Sequence, residues 1–349
     1  MTVRVGINGF GRIGRNFLRA ILADTKGGVE VVACNDLLDL STMSYLLEYD
    51  SVFGRLSEPV EARDGELKVG ERSIKMLAEP NPKEIPWGDV GADVVIESTG
   101  RFADRASAAQ HIDGGAKTVI ISQPGKDVDA TFVYGVNHQD FDASKHQVIS
   151  NASCTTNCFV PMVKVLDDAF GVDRGLMTTV HAYTATQAIV DGASREKDLR
   201  GTRAAALNVI PAATGAAKAT SLVLEAMAGR LDGQALRVPV PDGSFTDFTC
   251  ILTKEAKVDE INEAFRAAAS SGPLADGVLV YSTDPIVSSD IVGSSASCTF
   301  DAPLTMAIGN LVKVGGWYDN EWGYSNRLLD LIQHIGKGSG SPEGDGSAA

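Results

Sequence analysis

Apolar positions recur along the first 150 residues with two different periods. Val3–Ile7, Val29–Cys34, Val94–Ser98 and Val119–Ser122 are short, nearly unbroken apolar runs, while Ile13, Phe17, Ala20 and Ile21 fall at the spacing of one helix face. This strand–helix–strand rhythm predicts a parallel sheet covered by helices, since parallel neighbours require a crossover. Between Ser57 and Ile74 the pattern alternates, and Asp64-Gly65 supplies a two-residue turn, so a hairpin insertion is expected. Beyond Gly175 the strand candidates lengthen to Leu176–Thr184, Leu236–Val240, Phe245–Thr253 and Leu311–Trp317, with a helix at Asp259–Ser270. That texture predicts a mixed or antiparallel second sheet. A last helix is expected near Leu328–Ile335, before a Gly/Ser/Pro-rich tail.

A chain of 349 residues, 44% apolar and 22% charged, is long enough for two cores. Its longest apolar runs fall far short of the roughly 20 residues that cross a bilayer. Met1-Thr2-Val3-Arg4-Val5 enters a strand at once and leaves no room for a signal peptide, so the expected location is the cytoplasm, with no membrane partner. Five scattered cysteines argue for reduced thiols. Cys154 and Cys158 have the spacing of half a zinc site, but no second Cys/His pair lies near them, so no metal is expected. A net charge of −14 repels phosphate backbones and speaks against nucleic acid as the main partner. An anionic ligand must therefore meet a local cluster of donors.

Gly9-Phe10-Gly11-Arg12-Ile13-Gly14 follows the first strand and opens the first helix. The next strand ends at Asn35-Asp36, the acidic position of a dinucleotide fold. In that reading Gly9 makes the tight turn, Gly11 admits a pyrophosphate to the backbone and Gly14 permits close helix–sheet contact. The helix N-terminus, from Arg12 and Ile13, receives the phosphates. Asp36 accepts from the adenosine ribose hydroxyls and repels a 2′-phosphate, which favours NAD over NADP. The expected fold class is α/β: a Rossmann doubly wound parallel sheet over residues 1–150 and an α+β catalytic domain over 151–320. A C-terminal helix over 321–335 is expected to return to the first domain, with a disordered tail over 336–349.

Ser150-Asn151-Ala152-Ser153-Cys154-Thr155-Thr156-Asn157 follows a strand at Gln147–Ile149 and precedes a helical stretch from Cys158 to Phe170, whose first turns Pro161 should perturb. A thiol at a helix N-terminus has its thiolate stabilised, which lowers its pKa and makes Cys154 the candidate nucleophile. The other four cysteines read as buried structural residues. Among five histidines, His181 lies inside a strand ending in a hydroxyl-rich stretch with Thr178, Thr179, Thr184 and Thr186, whereas His111, His138, His146 and His334 lie in polar or terminal stretches. A strand histidine is more often a satisfied core residue; the nearby hydroxyls and a thiol needing a base shift the reading toward catalysis.

With these residues laid out, the chain resembles the glyceraldehyde-3-phosphate dehydrogenases over about residues 2–335. The most specific match is Ser150–Cys158, supported by the glycine motif, Thr179–Gln187, Thr214–Ala219, Arg237–Pro239 and Trp317–Asn326. The resemblance implies a homotetramer that converts D-glyceraldehyde 3-phosphate, NAD and inorganic phosphate to 1,3-bisphosphoglycerate and NADH through a Cys154 thioester. His181 would be the acid/base partner. By the same matching Thr184, Thr186 and Arg237 would hold the substrate phosphate, and Ser153, Thr155, Thr214 and Gly215 the attacking phosphate. Asn320 would fix the nicotinamide carboxamide with Tyr324 beside it, and Thr99, Phe102 and Ser122 would line the cofactor cleft. Independently, the Arg237 guanidinium is a charged fork suited to phosphate.

The chain departs from the family pattern at four places: Glu79-Pro80-Asn81-Pro82, Gln123, the longer segment Asp191–Leu199, and Pro241–Asp247, where the usual pattern is Pro-Asn-Val-Ser. An isozyme tolerant of a bulky thiol-directed inhibitor is one expectation from them. Two other functions stay open at this point. One is the related erythrose-4-phosphate dehydrogenase, and the other is a nucleotide-binding regulator without catalysis.

Overall fold

The computed structural model describes residues 2–193 and 198–338. Its first sheet comprises β1 (Val3–Asn8), β2 (Val29–Asn35), β3 (Val60–Arg63), β4 (Glu66–Val69), β5 (Arg72–Leu77), β6 (Val94–Glu97), β7 (Thr118–Ile121), β8 (Ala130–Thr131) and β9 (Val148–Ser150), in the spatial order β3-β4-β5-β2-β1-β6-β7-β9-β8. Every residue of β6 and β7 is buried, which is why these strands read as unbroken apolar runs. The sheet is parallel from β5 to β8. The antiparallel pairs are β3–β4 and β4–β5, the first being the expected hairpin, where Asp64 (φ 55°) and Gly65 (φ 79°) form the turn. The chain leaves β1 toward β2 on one side and later toward β6 on the other, and a ligand cleft belongs at the carboxyl ends around that reversal.

The second sheet holds β10 (Val172–Ala182), β11 (Ile210–Ala213), β12 (Leu231–Val238), β13 (Ser244–Leu252), β14 (Leu279–Ser282), β15 (Cys298–Asp301), β16 (Met306–Ile308) and β17 (Leu311–Tyr318). It is mixed: β10 runs parallel to β12 and antiparallel to β13. Strict alternation of buried positions in β13 turns one face into a core shared with the helices Cys154–Phe170 and Val258–Ser270. Phe265 and Phe300 stack there with centroids 3.7 Å apart.

Several boundaries differ from expectation. The helix expected from Cys158 starts at Cys154 and runs through Pro161, because Ser153 Oγ accepts the Thr156 N–H and caps it four residues earlier. β10 stops at Ala182, so Thr184 lies beyond the strand. The last helix spans Trp322–Gly338. Asp319 Oδ1 accepts the Glu321 and Trp322 N–H groups at its start. Gly336–Gly338, expected in the tail, belong to that helix; the rest of the tail lies outside the described residues. Tyr324, Leu328, Leu331, Ile332 and Ile335 bury against Val3, Phe17 and Leu18 of the first core. Full burial of each such side chain contributes about 1.5–3 kcal/mol. This helix therefore pulls the segment after β17, with Asn320, against the Rossmann sheet.

Candidate active site

The glycine loop sits at the carboxyl end of β1, in a cleft of about 400 Å³ lined among others by Gly9, Gly11, Asp36, Pro80, Thr99 and Phe102. Each glycine has a physical reason. Gly9 has φ +94°, and a Cβ there would come within 2.6 Å of Thr99 N. A Cβ at Gly14 would come within 2.3 Å of Gly9 O, so the helix lies on the turn itself. At Gly11 nothing lies within 4 Å, leaving open space over the N-terminus of Arg12–Ala23, which no side chain caps. These are the features a dinucleotide pyrophosphate needs, and they fit NAD. Asp36 is held in place: its Oδ2 accepts the Phe10 N–H (2.7 Å) and its Oδ1 the Leu38 N–H (3.0 Å). Arg12 can serve a phosphate only through its backbone, because its guanidinium is paired with Asp50 and Glu321. Ile13 follows it on the first turn of the same helix. Ser122 Oγ donates to Glu97 O (3.0 Å) at the edge of the same region.

A buried polar cluster lies under the cleft, and sequence reasoning missed it. Glu97 Oε1 accepts from Thr99 N (2.8 Å) and Oγ1. Its Oε2 accepts from Asn8 Nδ2 (2.6 Å) and lies 3.1 Å from His111 Nε2. Trp87 Nε1 donates to His111 Nδ1 (3.0 Å), which fixes the tautomer and leaves Nε2–H to donate to Glu97. His111 was read as lying in a polar stretch, yet it is fully buried. The one signal for it was an acidic residue ending an otherwise apolar strand.

Cys154 opens its helix after the cap Ser153, and the preceding Ala152 takes the left-handed conformation (φ 55°) and makes the strand-to-helix turn sharp. Tyr324 Oη donates to Ala152 O (3.0 Å) and braces that turn. Cys154 Sγ lies 3.4 Å from His181 Nε2. The other four cysteines are buried, as expected of structural residues. The electrostatics correct one expectation. Burial pushes the Cys154 thiol up to about 11, and the Arg237 charge and the Thr155 N–H draw it only part of the way back. Burial, then Arg237, push His181 down to about 3. Burial thus opposes the helix N-terminus at the thiol and disfavours the charged form of the imidazole beside it.

Parallel pairing of β10 with β12 sets Arg237 opposite His181. Arg237 Nη1 is 2.5 Å from His181 Nδ1 and 3.3 Å from Ala182 O, and its Nε is buried without a partner among the described residues. Thr184 and Thr186 join through their hydroxyls at 3.1 Å, just past the strand end. Thr179, read as part of that hydroxyl-rich end, instead points inward: Tyr318 Oη bridges it and Thr155 at 2.8 Å each. Thr155 Oγ1 is thus shared with Tyr318. Ser153 Oγ is occupied as the helix cap, and Thr214 Oγ1 accepts the Ala216 N–H (3.2 Å) beside the exposed Gly215. Asn320 is buried, its Oδ1 accepting from Ser244 Oγ (2.7 Å). Of the departures, Pro80 lines the cleft, Gln123 O accepts from Ser150 Oγ (2.7 Å), and positions 194–197 lie outside the described residues. Among the described residues no cluster of His, Cys, Asp and Glu could hold a metal, and no helix is long and apolar enough to cross a membrane.

Residues 3–105 match the NAD-binding domain of the glyceraldehyde 3-phosphate dehydrogenases and residues 153–320 their C-terminal domain. A glyceraldehyde-3-phosphate dehydrogenase of Streptomyces coelicolor is 57% identical over 337 residues, covering 96% of this chain and 99% of the relative. Glyceraldehyde-3-phosphate dehydrogenase 2 of Streptomyces arenae is 58% identical over 336 residues, with the same coverage. The Mycobacterium tuberculosis enzyme is 57% identical over 342 residues, covering 97% of this chain and 99% of its own. The chain belongs to the glyceraldehyde-3-phosphate dehydrogenase family, NAD-dependent oxidoreductases built from a Rossmann domain and a mixed-sheet catalytic domain.

Proposed function

We propose that the chain oxidises D-glyceraldehyde 3-phosphate, with NAD and inorganic phosphate, to 1,3-bisphosphoglycerate. The observation that carries this reading is the Cys154–His181–Arg237 constellation: a thiol 3.4 Å from an imidazole whose other face meets a guanidinium. Cys154 Sγ attacks the aldehyde carbon while His181 Nε2 takes the thiol proton and passes it to the oxygen of the hemithioacetal; His181 takes that proton back as hydride leaves the carbon and returns it to the sulfur when the thioester is broken. NAD, when bound, supplies the hydride acceptor that makes oxidation to the thioester possible. Inorganic phosphate then attacks the acyl carbon, and the Cys154 sulfur leaves as a thiol. Arg237, Thr184 and Thr186 hold the substrate phosphate. The Ser153–Thr155 turn, Thr214 and Gly215 receive the attacking phosphate, and Asn320 orients the nicotinamide carboxamide with Tyr324 behind it.

The reading extends to a homotetramer in the cytoplasm, with the NAD-binding part over 1–150, the catalytic part over 151–320 and the returning helix after it. Exposed Leu176, Ile189, Leu207, Val209 and Ile308 support burial of a large apolar surface between copies. The test is NADH formation from glyceraldehyde 3-phosphate with and without inorganic phosphate, beside erythrose 4-phosphate. Rapid turnover is expected only with glyceraldehyde 3-phosphate, NAD and phosphate together. A faster, phosphate-independent rate on erythrose 4-phosphate would overturn the reading.

A further inference from the structure

Asp242 and Asp319 are both buried, at 1% exposure each, and their carboxyl groups lie within hydrogen-bonding reach of one another. Asp319 accepts three backbone N–H groups, with Oδ2 taking that of Gly293 (2.8 Å) and Oδ1 those of Glu321 (2.9 Å) and Trp322 (2.6 Å), which leaves Oδ2 room for one more donor. Asp242 Oδ1 accepts the Gly243 N–H (2.8 Å), but Oδ2 has no donor among the described residues. Its position is rigid, since Gly243 has φ +86° and packs so that a Cβ there would meet Ser288 O at 2.2 Å.

No cation faces the pair among the described residues. Glu321 is the further charge felt at Asp242; Arg12 is paired with Glu321 and Asp50, and Arg327 Nη2 with Asp330. On the neighbouring turn of helix, Asp290 is exposed and accepts the Val287 N–H. Two carboxylates cannot both be charged in such a place. Asp319 has three N–H donors and keeps the charge; Asp242 keeps the proton and donates it to Asp319 from Oδ2. Burial first, then Asp319 and Glu321, push Asp242 up to about 8.

The turn carrying Asp242 also carries Ser244, whose Oγ accepts the Ala182 N–H (3.0 Å) and donates to Asn320 Oδ1 (2.7 Å). Asp319 immediately precedes Asn320. One shared proton therefore ties both supports of Asn320 together. We propose that Asp242, as a neutral carboxylic acid donating to Asp319, is a positioning residue that holds Asn320 in place for the nicotinamide, so that the cofactor is gripped tightly only while that proton is present. The assignment of Asn320 rests on the proposed function.

The sign follows from the raised value. Asp242 is ionised in the unfolded chain above about pH 4, yet protonated in the folded protein up to about 8, so ionising it on the alkaline side weakens the contact and leaves two facing charges. NAD titrated against the full chain by tryptophan fluorescence quenching should bind about tenfold more weakly above that pH, the effect of losing one hydrogen bond to a charged group. In Asp242→Asn an amide donates to Asp319 at every pH, and the alkaline loss should disappear. Retention of the wild-type loss in Asp242→Asn, or its absence from the wild type, would overturn the proposal. Infrared spectroscopy of the wild type gives a reading independent of any variant: the carbonyl band of a protonated carboxylic acid should be present at neutral pH and vanish through about pH 8, and its absence at neutral pH would equally overturn it. Neither measurement uses a substrate. Failure of turnover on glyceraldehyde 3-phosphate would sink the proposed reaction without touching these outcomes.

Discussion

Arg237 Nη1 lies 2.5 Å from His181 Nδ1, which also lies 2.7 Å from Ala182 O, so two tautomers compete at that nitrogen. A guanidinium cannot act as an acceptor, so Nδ1 accepts and Nε2–H points at Cys154 Sγ. The alternative, with Nδ1–H donating to Ala182 O at 2.7 Å, leaves Nε2 as the base the chemistry needs. An anionic ligand that drew Arg237 away would leave Nδ1–H to donate to Ala182 O and free Nε2 as the base.

Replacing Arg237 with Leu should therefore have two separable effects. The Michaelis constant for the phosphorylated aldehyde should rise about 10- to 100-fold, the range for a lost charge-assisted contact. Because Arg237 lowers both groups' values, its removal should let the pKa of His181 and that of Cys154 rise together. Nuclear magnetic resonance of the His181 ring and the pH profile of Cys154 alkylation read these directly. An unchanged Michaelis constant would place the substrate phosphate elsewhere.

The glycine loop offers a paired test. Gly14→Ala puts a methyl group 2.3 Å from a backbone oxygen and should cost about 1–3 kcal/mol of stability as well as NAD affinity. Gly11→Ala meets nothing within 4 Å, so it should melt as the wild type does and yet bind NAD more weakly. Thermal melts and NAD titration distinguish the two. Normal NAD binding by Gly11→Ala would mean that the pyrophosphate does not cross that point.

The first sheet was legible because its strands are buried on both faces and their apolar runs carry a signal, and because the glycine spacing has a mechanical meaning in a turn. Cys154 and His181 were legible through their neighbours, Ser153 as a cap and the threonines at the strand end. What stayed hidden depends on contacts across the chain. Glu97 and His111 are 14 residues apart and meet only when β6 packs on the following helical turns. Thr155 and Thr179 turn inward because Tyr318, far along the sequence, bridges them. The thiol value was misjudged for the same reason: local sequence shows the helix N-terminus but not the burial that opposes it.

Asp36 should set the cofactor preference. Its carboxylate, fixed by Phe10 N–H and Leu38 N–H, stands where a 2′-phosphate would arrive, and Leu37-Leu38-Asp39 brings no compensating cation. Steady-state kinetics should show NAD strongly preferred, with Asp36→Ala narrowing the gap while loosening the loop it anchors. Equal use of NADP by the wild type would remove the argument.

Cys154 and His181 should behave as one unit, since each is useful to the chemistry only through the other. Cys154→Ser leaves Gly9, Gly11, Gly14 and Asp36 untouched, so it should bind NAD normally while acyl transfer nearly vanishes. His181→Asn removes the acceptor for the Sγ proton, and losing a general base costs about 10² to 10⁴ in rate. Because burial raises the thiol, wild-type alkylation by iodoacetamide should accelerate toward alkaline pH, and His181→Asn should displace that profile to still higher pH. The double variant should be little worse than Cys154→Ser alone, as expected for groups that act together. If His181→Asn kept both the turnover rate and the alkylation profile of the wild type, His181 would be a satisfied strand histidine. The proton of Cys154 would then have to leave by another route.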